Sequence, residues 1–238
     1  INVMNFDGMP ELLPQRGLDF VPLEPIKLST DDLQRNSAYA AERVRREAQV
    51  QFANYDEFLK SLELKLKIFK ASTRDLPRLA QLAGKTNQFN TTTIRWSEQQ
   101  LANMLEDSSY EVLSFSLSDR LGDYGTIGMV VLREQESALH IDTYLMSCRI
   151  LGRRVEDAIL FDIQQRALRR SLDKVVGYYR PSLKNIQVSD LYHRFGFKSL
   201  GSATITSRHF SLDSAECFVR QMSDGQWMLP STIELGAN

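Results

Sequence analysis

The sequence predicts an α/β fold: one mixed, mostly antiparallel sheet with helices on both faces. Three observations carry this. Short runs such as Leu64, Leu66 and Ile68 alternate apolar with polar residues, as a half-buried strand does. Longer stretches carry apolar residues four apart, as Val155, Ile159, Ile163 and Ala167 do on one helix face. Antiparallel strands come first and a strand–helix–strand unit follows, which places a parallel pair inside an otherwise antiparallel sheet.

Taken in order, the chain opens irregularly. Pro10, Pro14, Pro22 and Pro25 punctuate residues 1–28. Ser29 to Asp32 offers N-cap residues and first-turn acids for a polar, Arg- and Ala-rich helix reaching about Phe52. A shorter helix from Asp56 to Leu62 ends a segment, 1–62, read as an N-terminal arm or the tail of a preceding domain. Residues 63–238 form the main domain. Leu64 to Phe69 is its first strand, and Thr73 can cap a helix from Arg74 to Ala83. A second helix runs from Ser97 to Leu105. Val112–Leu117 and Thr126–Leu132 read as strands joined by a turn at Gly122 to Gly125. Leu139, Ile141, Thr143 and Leu145 alternate along the next strand, and Gly152 opens the long helix. Lys174–Tyr179 is a strand halted by Pro181; Val188–Phe195 is a helix with Gly196 as its C′ residue. Two or three strands finish the chain, for an order of β-α-α-β-β-β-α-β-α-β-β.

The chain has 238 residues, 42% of them hydrophobic and 25% charged, and a net charge of -1. That charge favours neither nucleic acid nor an anionic membrane. No apolar run approaches the roughly 18 residues that span a bilayer. The N-terminus shows no signal-peptide pattern, and it begins with Ile1 rather than Met, which leaves room for a longer chain. Cys148 and Cys217 show neither a disulfide framework nor metal-ligand spacing, so no metal is expected and a reducing, cytoplasmic compartment is the default.

The chemistry concentrates where a strand ending in Leu145, Met146 and Ser147 runs through Arg149, Gly152, Arg153 and Arg154 into a helix. A helix N-terminus presents free backbone N–H groups and positive potential, the arginines add full charges, and Gly152 lets the backbone approach a ligand closely. The pattern fits an anion, such as the pyrophosphate of coenzyme A or the single phosphate of a phosphopantetheine arm. It equally describes a capped helix with a solvated Arg cluster.

One helix and one strand later, Asn185 opens a helix containing Tyr192 and ending at Gly196 and Phe197. The two motifs at this separation resemble the GNAT acyltransferase superfamily over about residues 63–225. The resemblance implies a GNAT-like fold in which a thioester arm lies between two splayed parallel strands, here those ending near Leu145 and Tyr179. It also implies that Tyr192 protonates the departing thiolate. A phenol of pKa about 10 is a suitable acid for a thiolate of about 8.5, although a ring at this position can also simply pack. The superfamily pattern ends in a small residue where this chain has Arg154. That departure favours a single phosphate over a pyrophosphate.

Further segments resemble a narrower family. These are Lys85 to Asn90 with Thr91 and Thr92, Leu117 to Arg120 with Gly122 to Gly125, Asp142 to Arg149, and Tyr55 to Leu62. They are similar to the C-terminal, GNAT-like half of FkbH-like proteins, over about residues 30–205. Such proteins join a HAD-type phosphatase-like half to this one and load a glyceryl unit from a bisphosphoglycerate onto an acyl carrier protein for polyketide assembly. The HAD nucleophile motif Asp-x-Asp-x-Thr is absent from this sequence. An upstream HAD-type domain or an independent supply of activated acyl groups is therefore implied.

On this reading Asn87, Gln88, Asn90, Asp119, Arg120 and Asp142 offer polar groups for a glyceryl unit, or serve as caps and turns. Cys148, beside Arg149 and a helix start, is a candidate acyl-carrying nucleophile or a small packing residue. His140 is a candidate general base or a satisfied strand histidine. Asn185 joins Tyr192, Cys148 and His140 in the catalytic set. Trp96 and Trp227 read as packing residues. The expected activity is acyl transfer to or from a carrier-borne phosphopantetheine or coenzyme A; acetyl-coenzyme-A-dependent N-acetylation and a non-catalytic carrier-protein docking module are the alternatives.

Overall fold

The computed structural model describes residue 52 and residues 54–236, so the predicted arm helix and the residues before it lie outside the described part. The elements are α1 (Tyr55–Ser61), β1 (Leu64–Lys70), α2 (Leu76–Lys85), α3 (Glu98–Glu106), β2 (Tyr110–Asp119), β3 (Gly122–Gln135), β4 (Ala138–Met146), α4 (Val155–Arg169), β5 (Lys174–Tyr179), α5 (Leu191–Arg194), β6 (Lys198–Thr206), β7 (Ser211–Gln221) and β8 (Ile233–Leu235). The order is the predicted one, and the class is α/β with a mixed sheet.

Eight strands form one sheet in the order β6-β7-β5-β4-β3-β2-β1-β8. Neighbours are antiparallel except β4 with β5 and β1 with β8. The larger core lies on the face covered by α1, α4 and α5, and includes Leu59, Leu62, Ile159, Ile163, Tyr144 and Tyr192. The other face buries Leu79, Leu101, Met104, Trp96 and Leu145 beneath α2 and α3. Phe58, Leu59 and Leu62 are buried against the sheet. At about 1.5–3 kcal/mol per large apolar side chain, this holds α1 to the folded body.

Several local details differ from the sequence reading. Asp75, not Thr73, closes the start of α2: its carboxylate accepts from the N–H and hydroxyl of Ser72, and a proline in the first turn fixes the entry. The β2–β3 turn falls at Arg120 and Leu121, because Asp119 Oδ1 accepts from the N–H groups of Leu121 and Gly122 at 2.8 and 3.0 Å. The helix predicted over Val188–Phe195 divides into a 3-10 turn at Ile186–Val188 and α5. Gly196 does close it, with φ +72°; its N–H bonds His193 O and that of Phe197 bonds Tyr192 O.

The alternation along β4 is broken. Thr143 stands opposite Val131 and Ile141 opposite Leu132, which leaves Asp142 as a bulge. Leu139 and Ile141 therefore face α4, and Leu145 faces α2 and α3. No helix among the described residues is long and apolar enough to cross a membrane.

Candidate active site

Strands β4 and β5 pair only from Ala138 with Lys174 to Ile141 with Gly177. Beyond that point they part, β4 continuing to Met146 and β5 to Tyr179. The space between them is filled by the chain itself. Phe89 O accepts from Met146 N–H at 3.0 Å, Thr91 N–H donates to Tyr144 O at 3.0 Å, and Thr91 O accepts from Arg180 N–H at 2.8 Å. Asn90 stands opposite Leu145 as an antiparallel partner. The fork implied by the family resemblance is thus present, with a short strand of the α2–α3 connection lying in it.

Asn185 holds this arrangement. Its amide nitrogen donates to Asn90 O at 2.9 Å and to Arg180 O at 3.0 Å, while its Oδ1 accepts from the N–H and hydroxyl of Ser182. It clamps the end of β5 to the inserted strand rather than capping a helix with its side chain. Asn90, Thr91 and Thr92 are fully buried. Thr92 and Trp96 both donate to Thr143 Oγ1, at 2.8 and 3.0 Å, and the Thr143 hydroxyl in turn donates to Asp142 O at 2.8 Å. These bonds tie the bulge to the same connection.

Tyr192 sits at the crotch of the fork. Its ring lies on Gly177, where a β-carbon would stand 2.3 Å from Tyr192 Cε1, and it packs against Phe197 and Phe218. The side chain is 1% exposed. Its hydroxyl makes no well-aligned hydrogen bond, but the Thr91 side chain and the Tyr178 backbone lie close enough to interact with it and partly offset the effect of burial. Burial raises its pKa, so the phenol keeps its proton throughout the physiological range.

His140 occupies the opposite face, where Nδ1 lies 2.6 Å from Tyr178 Oη. Burial first, and then the positive charge of Arg133, lower its pKa to about 4. Arg133 forms a buried two-bond pair with Asp142, Nε to Oδ2 at 2.8 Å and Nη2 to Oδ1 at 2.9 Å. Burial raises Asp142 to about 6, opposed by Arg133. Gly177 and Tyr178 are adjacent on β5, so Tyr192 and His140 flank one point from two sides.

The arginine turn is built differently from the expectation. A 3-10 turn at Cys148–Ile150 follows β4, and α4 begins at Val155, three residues after Gly152. Gly152 has φ +81° and Arg154 φ +60°, so two left-handed residues carry the chain into the helix. Arg153 is buried with its guanidinium 4.7 Å above the Tyr124 ring, and Arg154 pairs with Asp157 at 3.1 Å. Arg149 is exposed, its Nε 3.5 Å from Ser147 Oγ. The three arginines do not converge: one packs, one pairs within the helix and one faces solvent. Leu145 and Met146 are buried, Ser147 donates its N–H to Ile127 O at 2.7 Å, and Cys148 is exposed as a free thiol.

The polar groups proposed for a glyceryl pocket do not assemble into one. Asp119 closes the β2–β3 hairpin and accepts from the Tyr124 hydroxyl, and Arg120 beside it is exposed. Asp142 lies against Val131 and Leu132, nine residues of β3 beyond Gly122, a separation of roughly 30 Å along a strand. Asn87 accepts from Arg95, Gln88 is exposed, and Asn90 Oδ1 accepts from Thr93 N–H at 2.9 Å. Only Asn90 and Asp142 border the fork.

Four residues there escaped the sequence reading. Arg133 and Tyr178 belong to strands, and nothing in their spacing marks them. Tyr144 is fully buried, its ring edge-on to Phe89, with a hydroxyl that makes no hydrogen bond. Glu156 resembles an ordinary first-turn acid, yet it is 8% exposed and its Oε2 is unpartnered. Burial raises its pKa, against the pull of its own backbone amide and of Arg194 and Arg154.

No protein-family model and no curated protein matches this chain. Solved structures do. The ribosomal-protein-S18-alanine N-acetyltransferase from Escherichia coli aligns over 66% of this chain and 94% of its own, at 15% identity and a TM-score of 0.49. The spermidine N-acetyltransferase from Vibrio cholerae in complex with CoA and spermine aligns over 66% and 96%, at 13% identity and 0.49. Ard1 from Thermoplasma volcanium aligns over 66% and 97%, at 14% identity and 0.48.

Proposed function

We propose that this chain is a GNAT-type acyltransferase that moves a small acyl group, glyceryl by family resemblance, to or from the phosphopantetheine thiol of an acyl carrier protein. Coenzyme A is the alternative bearer of the same arm. The observation that carries this reading is the unpartnered, buried hydroxyl of Tyr192 at the point where β4 and β5 part. A buried phenol that holds its proton and has no well-aligned acceptor of its own is suited to donate to a thiolate released beside it. Burial disfavours the charged form of both groups, so a thiolate released there is also more basic than in water and takes up the proton readily.

On the other face His140 is neutral at pH 7 and can accept a proton from an incoming nucleophile, with Tyr178 fixing its ring and the Arg133–Asp142 pair fixing the bulge. The acyl carbon exchanges its bond to sulfur for one to the nucleophile. Cys148, exposed just past β4, is the candidate for a covalent relay.

Intact mass of the carrier arm tests the reading. Incubation of the chain with a glyceryl-loaded carrier protein and an acceptor removes one glyceryl mass from the arm, and the reverse incubation adds it. Tight binding with no mass change favours a docking module, and acetylation of amines from acetyl-coenzyme A favours N-acetyl transfer.

A further inference from the structure

We infer that Phe89–Thr91 is a displaceable strand that closes the arm slot, and that Asn185 is its latch. The inference rests on the acyl-transfer reading and goes beyond it. A slot between two parting strands exposes backbone N–H and C=O groups that an extended, amide-bearing arm can pair with. In this chain those groups are already used: Tyr144 O and Met146 N–H on β4, and Arg180 N–H past β5, all bond to Phe89 or Thr91. An arm cannot enter beside them, because Asn90 and Thr91 are fully buried and fill the width between the strands. Entry requires the segment to leave, and the arm's own amides then replace the bonds that it gave up.

The attachment of the segment fits such an exchange. It is held to the fork by main-chain bonds that an arm can reproduce, by the Thr91 hydroxyl, which accepts from Tyr144 N–H at 3.1 Å, and by the Asn185 amide, which bonds Asn90 O and Arg180 O together. Phe89 packs edge-on against Tyr144 at 4.9 Å, and the Thr91 side chain borders the Tyr192 hydroxyl. Withdrawal of the segment therefore uncovers the Tyr144 ring and the Tyr192 hydroxyl, a buried oxygen without a well-aligned hydrogen bond. Closure keeps the acid dry and covered; opening presents it to the thioester. The consequence is selectivity: the slot resists a free arm and opens for one delivered with enough binding energy from its carrier.

Asn90 and Leu145 are directly opposed between two main-chain bonds, Thr91 N–H to Tyr144 O and Met146 N–H to Phe89 O. Such non-hydrogen-bonded pairs bring Cα atoms to about 4.5 Å, within the range a disulfide spans. The experiment measures coenzyme A binding by titration calorimetry to three full-length proteins: wild type, Asn185→Ala, and Asn90→Cys/Leu145→Cys in oxidised and reduced forms. The latch predicts at least fivefold tighter binding to Asn185→Ala than to wild type. The oxidised clasp abolishes binding and reduction restores it, the reduced form serving as the folding control. Equal affinity across wild type, Asn185→Ala and the oxidised clasp overturns the inference and leaves acyl transfer standing, with the arm bound outside the fork. Absence of coenzyme A binding to every form, Asn185→Ala included, overturns the latch; an unchanged carrier-arm mass in the intact-mass assay overturns the acyl-transfer reading.

Discussion

The Tyr192 ring rests directly on the backbone of Gly177: a β-carbon added there would fall 2.3 Å from Cε1 and 2.5 Å from Cζ. The ring cannot retreat, because Phe197 and Phe218 back it. Gly177→Ala should therefore destabilise the protein by about 1–3 kcal/mol through overpacking. For a chain of this size that is a fall in Tm of about 2–4 °C per kcal/mol, read by thermal melting. An unchanged Tm would mean that Tyr192 is not seated on β5.

Tyr192→Phe separates the ring from its hydroxyl. The hydroxyl is buried and makes no hydrogen bond, so its removal leaves stability unchanged or raises it by up to about 1 kcal/mol. A loss of more than that, read from denaturant unfolding, would show the hydroxyl bonded and unavailable as an acid.

His140 predicts a pH effect. Its folded pKa, about 4, lies below the ordinary 6.5. The unfolded chain therefore binds the extra proton first, and stability from this group is lost as pH falls from 6.5 towards 4. Asp142, raised to about 6, acts in the opposite sense over part of this window. The quantity to read is thus the stability of wild type minus that of His140→Gln. It should shrink on acidification from pH 7 to 4.5; a constant difference would place His140 in solvent.

Arg154 adopts φ +60° ahead of α4 and pairs with Asp157 while nearly half exposed. Arg154→Gly relieves a left-handed conformation worth about 1–2 kcal/mol and loses a surface pair worth at most about 1 kcal/mol. The variant should melt no lower than wild type. If Arg154 also meets the single phosphate of a carrier arm, KM for carrier protein rises several-fold while kcat holds. An unchanged KM would remove Arg154 from the phosphate site.

Most of the fold was legible because it follows periodicity and punctuation: the Val155 to Ala167 stripe became the buried face of α4, and Gly196 closed α5 with the positive φ expected of a C′ glycine. The site was legible only in part. Tyr192, Asn185 and Asn90 lie at the fork, with His140 on the other face of the sheet beside it, and the sequence had marked each of them. The bulge at Asp142 was not readable, because one extra residue in a strand leaves no mark in composition while it reverses which face every later side chain takes. The setting of Arg153 was hidden likewise: Tyr124, the ring its guanidinium stacks over, comes from a distant hairpin, and only folding brings the two together. The pairing of Phe89–Thr91 with β4 is a single bridge at Asn90, too short for any period to register.

The most direct test of the account is the leaving-group dependence of single-turnover transfer in Tyr192→Phe. An alkyl thioester, whose thiolate is basic, needs the proton from Tyr192; an aryl thioester, whose thiolate is a far weaker base, does not. Tyr192→Phe should slow transfer from the alkyl thioester by about a hundredfold or more and transfer from the aryl thioester by less than about threefold. Equal slowing of both, or of neither, would contradict the assignment of Tyr192 as the acid at the fork.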